Sequence, residues 1–459
     1  MGNILRRWWP AAPFEFSVAI FFAMILLADA ITTFVNAPLT YDGSFTLFRV
    51  LEHHNFAYDY DRVVNVPLQV PVLAATYLTH DIRILSWAFS VLYCLIPLVG
   101  LALSWLICRQ RQSLFIWPAI SICLAELPGR FFFTNEQVIL ATLFWPALLT
   151  ALLGAPMPIL IAVALVTIVA TASQPVAAAS LVMILLAAIA SALLKPQLRQ
   201  RSLWFGLFVG LLLLQRLTTP LFEWETSSLS MATVDYSFNN AVWGWPLVAT
   251  AFTLLAGLAC LLAPGRLARI YLIVPLTLAG ASLVTWAARP ASWDRLIDFR
   301  YWVTPITLVL MAGAALEELW QRRSSEAQLQ EIRRYAIPLV GAIFLVVLSM
   351  QSVEWQVMNH RLRDDLVNSG RGCIPSESLL WLHDSPLSHW GGTFNAIEVQ
   401  GQKPVALLLP NGHDCQIFVT EGNAKLVDQR NFKIDRGIDG GWFNFDDAYG
   451  KAKGNPKFD

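Results

Sequence analysis

Eleven apolar stretches, most near the roughly 17–25 residues a helix needs to cross a bilayer, recur along this chain of 459 residues and leave few ways for it to fold. Seven, at 14–35, 84–108, 203–219, 246–262, 270–288, 302–319 and 335–350, are nearly uninterrupted. Four more, at 114–127, 137–153, 158–172 and 175–194, are crowded by Pro, Gly or polar residues. Lipid offers backbone N–H and C=O groups no partners, so such stretches span as helices. The predicted fold class is an all-α polytopic membrane protein of about eleven transmembrane helices. Composition agrees: 56% of residues are hydrophobic and 14% charged, with a mean hydropathy of +0.54, against about 25% charged in a soluble domain. Lys+Arg 32 against Asp+Glu 32 leaves no net charge, so no global basic field exists to gather nucleic acid.

Sidedness follows from the basic loops, because Lys and Arg resist translocation. Arg6/Arg7, Arg109/Arg111, Lys195/Arg199/Arg201, Arg266/Arg269 and Arg322/Arg323/Arg333/Arg334 fall on one side if the count is eleven. The N-terminus is then cytoplasmic and the segments 36–83, 128–136, 220–244, 289–301 and 351–459 face outward. Arg6 and Arg7 before an apolar run also resemble the start of a signal peptide, but a run long enough to span, followed by further spans, is expected to stay as the first helix.

The chain thus divides into a transmembrane domain, 1–350, which includes a first extracytoplasmic loop at 36–83, and an extracytoplasmic C-terminal domain, 351–459. After Met350 the sequence turns polar, with short alternating runs at 405–409 and 416–419 that read as strands, so this domain is expected to be a small α/β or mostly β unit. Two of the six cysteines, Cys373 and Cys415, lie there. In an oxidising compartment they are expected to pair. Cys94, Cys108, Cys123 and Cys260 lie in or at the ends of spans and read as packing residues.

The first outward loop holds Tyr41, Asp42, Arg49, Glu52, His53, His54, Asp59, Asp61 and Arg62, more chemistry than a connector needs. Phe45, Phe48, Val50 and Leu51 recur at helical spacing, which suggests an amphipathic helix on the membrane interface with its polar face toward a cavity. Asp42 and Gly43 precede that helix and Ser44 is its candidate N-cap. Asp42, just beyond the first span, is placed to act as a general base or ligand; the ordinary alternative is a capping aspartate. Asp59-Tyr60-Asp61 sets two hard oxygen donors at i and i+2, a candidate holder for Mg²⁺ or Mn²⁺. His53 and His54 are neighbours that cannot easily share one ion from a helix, so substrate contact is the expected role. Glu126, Arg130 and Glu136 stand at another outward turn, as an ion pair or as working groups. Arg295 and Arg300 defy the basic-inside bias and are candidates for holding a lipid phosphate. Asp29 and Gln215-Arg216 add polar groups within spans, as transport-path residues or interhelical partners.

A single span, a long first outer loop opening on Thr40-Tyr41-Asp42-Gly43-Ser44, many further spans and an outer C-terminal domain resemble the GT-C superfamily of membrane glycosyltransferases. That resemblance implies a sugar donor carried on polyprenyl phosphate, an extracytoplasmic glycan, lipid or protein acceptor, Asp42 as catalytic base and outer-loop arginines on the carrier phosphate. Tyr41, Arg49, His53, His54, Glu126, Arg130, Glu136, Arg295 and Arg300 are its candidate substrate contacts. The expected setting is a bacterial inner membrane with the N-terminus cytoplasmic and the C-terminus periplasmic. A flippase or transporter using Asp29 and Arg216, or a non-catalytic subunit of a membrane complex, are the competing readings.

Overall fold

The computed structural model describes residues 14–39, 42–57, 63–126, 136–173, 175–220, 300–320, 326–382, 385, 387, 391–409, 442–444 and 446–453. They are mostly helical. In chain order the helices are α1 (Phe14–Phe34), α2 (Asp42–His53), α3 (Val66–Thr76), α4 (Ile82–Cys108), α5 (Ile116–Glu126), α6 (Glu136–Leu153), α7 (Met157–Thr171), α8 (Ala177–Leu194), α9 (Arg199–Thr218), α10 (Arg300–Trp320), α11 (Glu326–Asn368), α12 (Gly391–Gln400) and α13 (Asp446–Lys453); strands β1 (Cys373–Pro375) and β2 (Leu407–Leu409) flank α12. Every apolar stretch that falls on described residues is helical. Among the described residues five helices, α1, α4, α6, α8 and the 333–368 part of α11, are long and apolar enough to cross a membrane, and α3, α5 and α7 are apolar but shorter. The stretches at 246–262 and 270–288 lie outside the described residues.

Helix α6 is the centre of the bundle: its apolar window is 89% buried, as befits a helix apolar on every face, and α4, α8 and α10 pack around it. Leu193, Leu203, Trp204, Leu211, Leu214 and Leu217 of α8 and α9 stay exposed, a lipid-facing row rather than a core. Small residues set the closest approach, as they do where helices meet in lipid. A Cβ on Gly100 of α4 would lie 2.6 Å from Thr142 Cγ2 and 2.9 Å from the Thr142 carbonyl oxygen of α6. Gly100→Ala must therefore push two core helices apart, and we expect a loss of about 1–3 kcal/mol, seen as a lower thermal midpoint in micelles. An unchanged midpoint would show that α4 and α6 have slack.

At the end of the bundle away from the tail, residues from two connecting segments and from α5 and α11 converge on two adjacent acids of α10. Arg333 of α11 holds Glu317 with both guanidinium nitrogens, at 2.7 and 2.8 Å, and donates to the Ser113 carbonyl at 2.7 Å; Trp117 Nε1 donates to the same carboxylate at 2.8 Å. Arg111 and Lys195 both reach Glu318, at 3.0 and 2.5 Å. These arginines and the lysine belong to the loops whose charge was expected to lie on one side, and the contacts gather them at one end.

The other end carries the tail. Helix α11 runs on without a break through Met350 to Asn368, so the change of composition there is not a change of secondary structure. Its far turns carry the tail: Arg361 lies over the Trp381 ring at 4.7 Å, and Trp381 Nε1 donates to Asp365 at 2.7 Å. β1 and β2 pair in parallel, Cys373 opposite Leu407 and Pro375 opposite Leu409, with α12 as the crossover. The strand expected at 405–409 is β2, at Leu407–Leu409; the run at 416–419 lies outside the described residues. Cys373 is disulfide-bonded. Cys415, its expected partner, lies outside the described residues.

Two expectations about the first loop are corrected. The helix opens at Asp42, before Ser44, and the Ser44 hydroxyl donates backward to the Leu39 carbonyl instead of capping. Nor is its apolar face left for lipid. Phe45 and Phe48 pack on Phe394 of α12, with ring centroids 5.0 and 5.1 Å apart, and Phe48 stacks on Phe443 at 5.3 Å. The apolar face is covered by the tail, which offers the same burial that lipid would have.

Candidate functional site: a cavity between the membrane helices and the tail

Where α1 ends, α4 begins and α11 leaves the bundle, α12 of the tail closes over a cavity of about 310 Å³. That is at the lower end of the roughly 300–1,000 Å³ typical of small-molecule sites. Arg83 and Arg363 supply its cations, and Ser86, Asn359 and Asn395 its neutral hydrogen-bonding groups; Glu398 is also in the wall, with both carboxyl oxygens buried. Local structure fixes each of them. Asp81 caps α4 by accepting from the Arg83 N–H at 2.9 Å, which places Arg83 in the first turn. Asn36, at φ 55, turns the chain out of α1 in a left-handed conformation that asparagine tolerates better than most residues. Asn395 donates to Asn359 at 2.8 Å, joining α12 to α11. Gln400, also on the wall, is committed to the tail: its amide bonds the Ala396 and Ala406 carbonyls and the Val405 and Ala406 N–H groups.

Glu398 is buried on α12, and its two oxygens meet no hydrogen-bond partner in good geometry among the described residues. Burial holds its carboxyl well above the ordinary carboxylate range, against the opposing pull of the Ser44 hydroxyl. A carboxyl with a raised folded-state pKa keeps a proton that the unfolded chain gives up near pH 4.3. Its favourable contribution is complete below that pH and is lost as pH rises through the folded value. Arg83 and Arg363 line the same cavity, and α2, which carries Arg49 and Glu52, packs on α12. Between pH 5 and 8 the thermal midpoint of Glu398→Gln is expected to gain steadily on the parent chain. Parallel curves would mean that Glu398 ionises freely in the fold.

The expected site residues divide as follows. Asp42 opens α2, three residues after Leu39, which lines the cavity, and two before Ser44, which neighbours Glu398. Arg49 lies over the Phe45 ring at 5.4 Å. His53 is the last residue of α2, and His54 sits with its ring 5.6 Å from Trp442, so aromatic packing accounts for it. Glu136 accepts from Asn65 Nδ2 at 3.4 Å, tying α6 to the turn before α3. Arg300 begins α10. Tyr41, Asp59, Asp61, Arg130 and Arg295 lie outside the described residues. The metal expectation for Asp59 and Asp61 goes with them, and among the described residues no group of three His, Cys, Asp or Glu could hold an ion.

Deeper in the bundle, Asp29 of α1 and Glu126 at the end of α5 are buried close enough to feel each other's charge, with Cys94 and Cys123 beside them. Neither Asp29 oxygen has a partner among the described residues, a costly arrangement in lipid. Thr32 turns its hydroxyl to Cys94, at 3.4 Å, and to its own helix.

Arg83, Arg363, Asn359, Asn395 and Glu398 were missed from sequence. Arg83 alone carried a signal, since it is an arginine at the outward end of a span, against the same bias that singled out Arg295 and Arg300. No protein-family model, curated protein or solved structure matches this chain.

Proposed function

We propose that this chain is a membrane glycosyltransferase of eleven spans, which takes a sugar from a polyprenyl-phosphate carrier and passes it to an acceptor on the outer side of a bacterial inner membrane. The observation that carries this is the cavity: two arginines at the level where α1 ends and α4 begins, beside the helix that Asp42 opens. A sugar on a lipid phosphate already has a good leaving group. The reaction needs a base for the acceptor hydroxyl and cations for the departing phosphate. Asp42 serves as the first, and Arg83 and Arg363 as the second, joined by Arg130, Arg295 and Arg300 from the outer loops. Breaking the sugar–phosphate bond leaves polyprenyl phosphate, forming the new bond joins sugar to acceptor oxygen, and the hydroxyl proton passes to Asp42. Asp59 and Asp61 would hold a divalent ion if one assists. The N-terminus is cytoplasmic and the tail periplasmic, in keeping with the disulfide on Cys373.

Proteoliposomes loaded with radiolabelled polyprenyl-phosphoryl sugars and given a membrane extract as acceptor test this directly. Turnover that depends on the protein is expected for at least one donor, with label appearing in a heavier product. Label that crosses the bilayer unchanged would replace the enzyme with a flippase. That second reading is favoured by the unpartnered Asp29, and it predicts that Asp29→Asn stops the movement.

A further inference from the structure

One helix face joins the cavity to an apolar seam. Arg83 and Trp87 of α4 are four residues apart and share that face; Arg83 is in the cavity wall, and Trp87 lies one turn further into the span. Helix α1 meets it there. Val35 and Asn36 line the cavity, and Phe34, directly before them, stacks on Trp87 with ring centroids 6.3 Å and planes 26° apart. Among the described residues neither ring is covered, Phe34 being 67% and Trp87 44% exposed. Further down, Leu27 and Ala30 of α1 and Val91 of α4 are exposed on the same stripes, and the short side chain of Ala30 leaves room between Leu27 and Phe34. From Arg83 to Val91 is a drop of about 12 Å at 1.5 Å per residue. The exposed row of α8 and α9 contributes nothing to the cavity wall, so the two apolar surfaces are not alike. A guanidinium at the head of an apolar stripe is the complement of an amphiphile with a phosphate head. The seam between two helices is a single groove, which seats one chain and leaves the second chain of a diacyl lipid without a place.

We infer that the α1–α4 seam seats the tail of a single-chain isoprenoid phosphate whose head lies in the cavity, with the Phe34–Trp87 stack as the sill over which it enters sideways from the bilayer. This rests on the cavity being the donor site. A chain already in lipid gains packing against the protein and no further transfer from water. The seam therefore selects the shape of the tail, and the arginines supply most of the affinity.

Photolabelling of the full chain in nanodiscs tests this, with citronellyl phosphate carrying a diazirine midway along its tail as the probe. Label should fall on 27–34 and 84–91, and unlabelled citronellyl phosphate at ten times its Kd should cut it about tenfold by mass action. Trp87→Ala should cut it by about threefold, the modest scale of packing in lipid, and Trp87→Phe should keep most of it. Trp204→Ala, which removes an exposed tryptophan of α9, should change nothing. Seam label that excess citronellyl phosphate fails to displace is bulk lipid contact and overturns the inference, as does displaceable label elsewhere on the chain. Dioleoyl phosphatidic acid displacing the label as well as citronellyl phosphate does would overturn the isoprenoid source. Arg83→Ala/Arg363→Ala separates the two levels. If it does not weaken citronellyl phosphate binding, the donor-site reading fails and the inference with it; if it does while the label misses the seam, the seam alone is withdrawn.

Discussion

Asp42→Asn should lower glycosyl transfer by about 10²–10⁴-fold, the range lost with a general base, in a protein that remains folded. The two side chains have the same shape, and asparagine serves as well as aspartate at a helix start. Asp42 is the first residue of α2, where a negative charge is favourable by about 0.3–1 kcal/mol, so only that much stability is at risk. The neighbours of this position are fixed independently: Leu39 lies in the cavity wall, and Phe45 and Phe48 are clamped on Phe394. Donor affinity should hold while the turnover rate falls, because in the proposed mechanism the arginines and not Asp42 grip the phosphate. Initial rates and equilibrium donor binding on the same preparation decide the matter. A fall of less than tenfold would remove Asp42 from the chemistry, and a parallel loss of binding would make it a contact residue.

Arg333→Met is expected to cost about 3–5 kcal/mol, the usual result of stranding one member of a buried ion pair. The Arg333 and Glu317 side chains are 3% and 2% exposed. Removing the guanidinium leaves a carboxylate with only the Trp117 indole and takes a donor from the Ser113 carbonyl. The double variant Arg333→Met/Glu317→Leu should recover most of the loss, because it removes both charges and leaves only neutral groups unsatisfied. The midpoint of SDS-induced unfolding in mixed micelles reads both effects. If the single variant shifts it no more than a surface substitution does, the network is not a structural lock. Lys195 and Arg111 on the neighbouring Glu318 are each 15% exposed, and their replacement should cost less.

Much of the bundle was legible because lipid imposes one rule, that backbone groups bond within their own helix. Each apolar run on described residues is therefore helical, with ends often close to those expected, α4 at 82–108 against 84–108 and α6 at 136–153 against 137–153, although α11 at 326–368 far overruns 335–350. Helix α3 was missed: it lies inside a loop, carries Pro71, and is stabilised by packing on α4 that no local pattern announces. The cavity was illegible for a similar reason. Arg83, Arg363 and Glu398 are 280 residues apart at the first step and 35 at the second in the chain, and only Arg83 stands out in its own segment. Phe45 and Phe48 show the limit of amphipathicity, since a moment says that one face seeks apolar cover and is silent on whether lipid or protein provides it.

The unbroken α11 has a mechanical consequence. Its 43 residues make a rod of about 65 Å at 1.5 Å per residue, more than twice the roughly 30 Å of hydrocarbon in a bilayer. One end is bolted at Arg333, and the other bears Trp381. The tail is thus cantilevered from the bundle, not tethered to it, and its height above the lipid is set in the way that a ruler sets a distance. Whatever lies in the cavity meets α12 at one fixed elevation. A tail cut free at residue 351 would start midway along the rod and lose the arm that holds it.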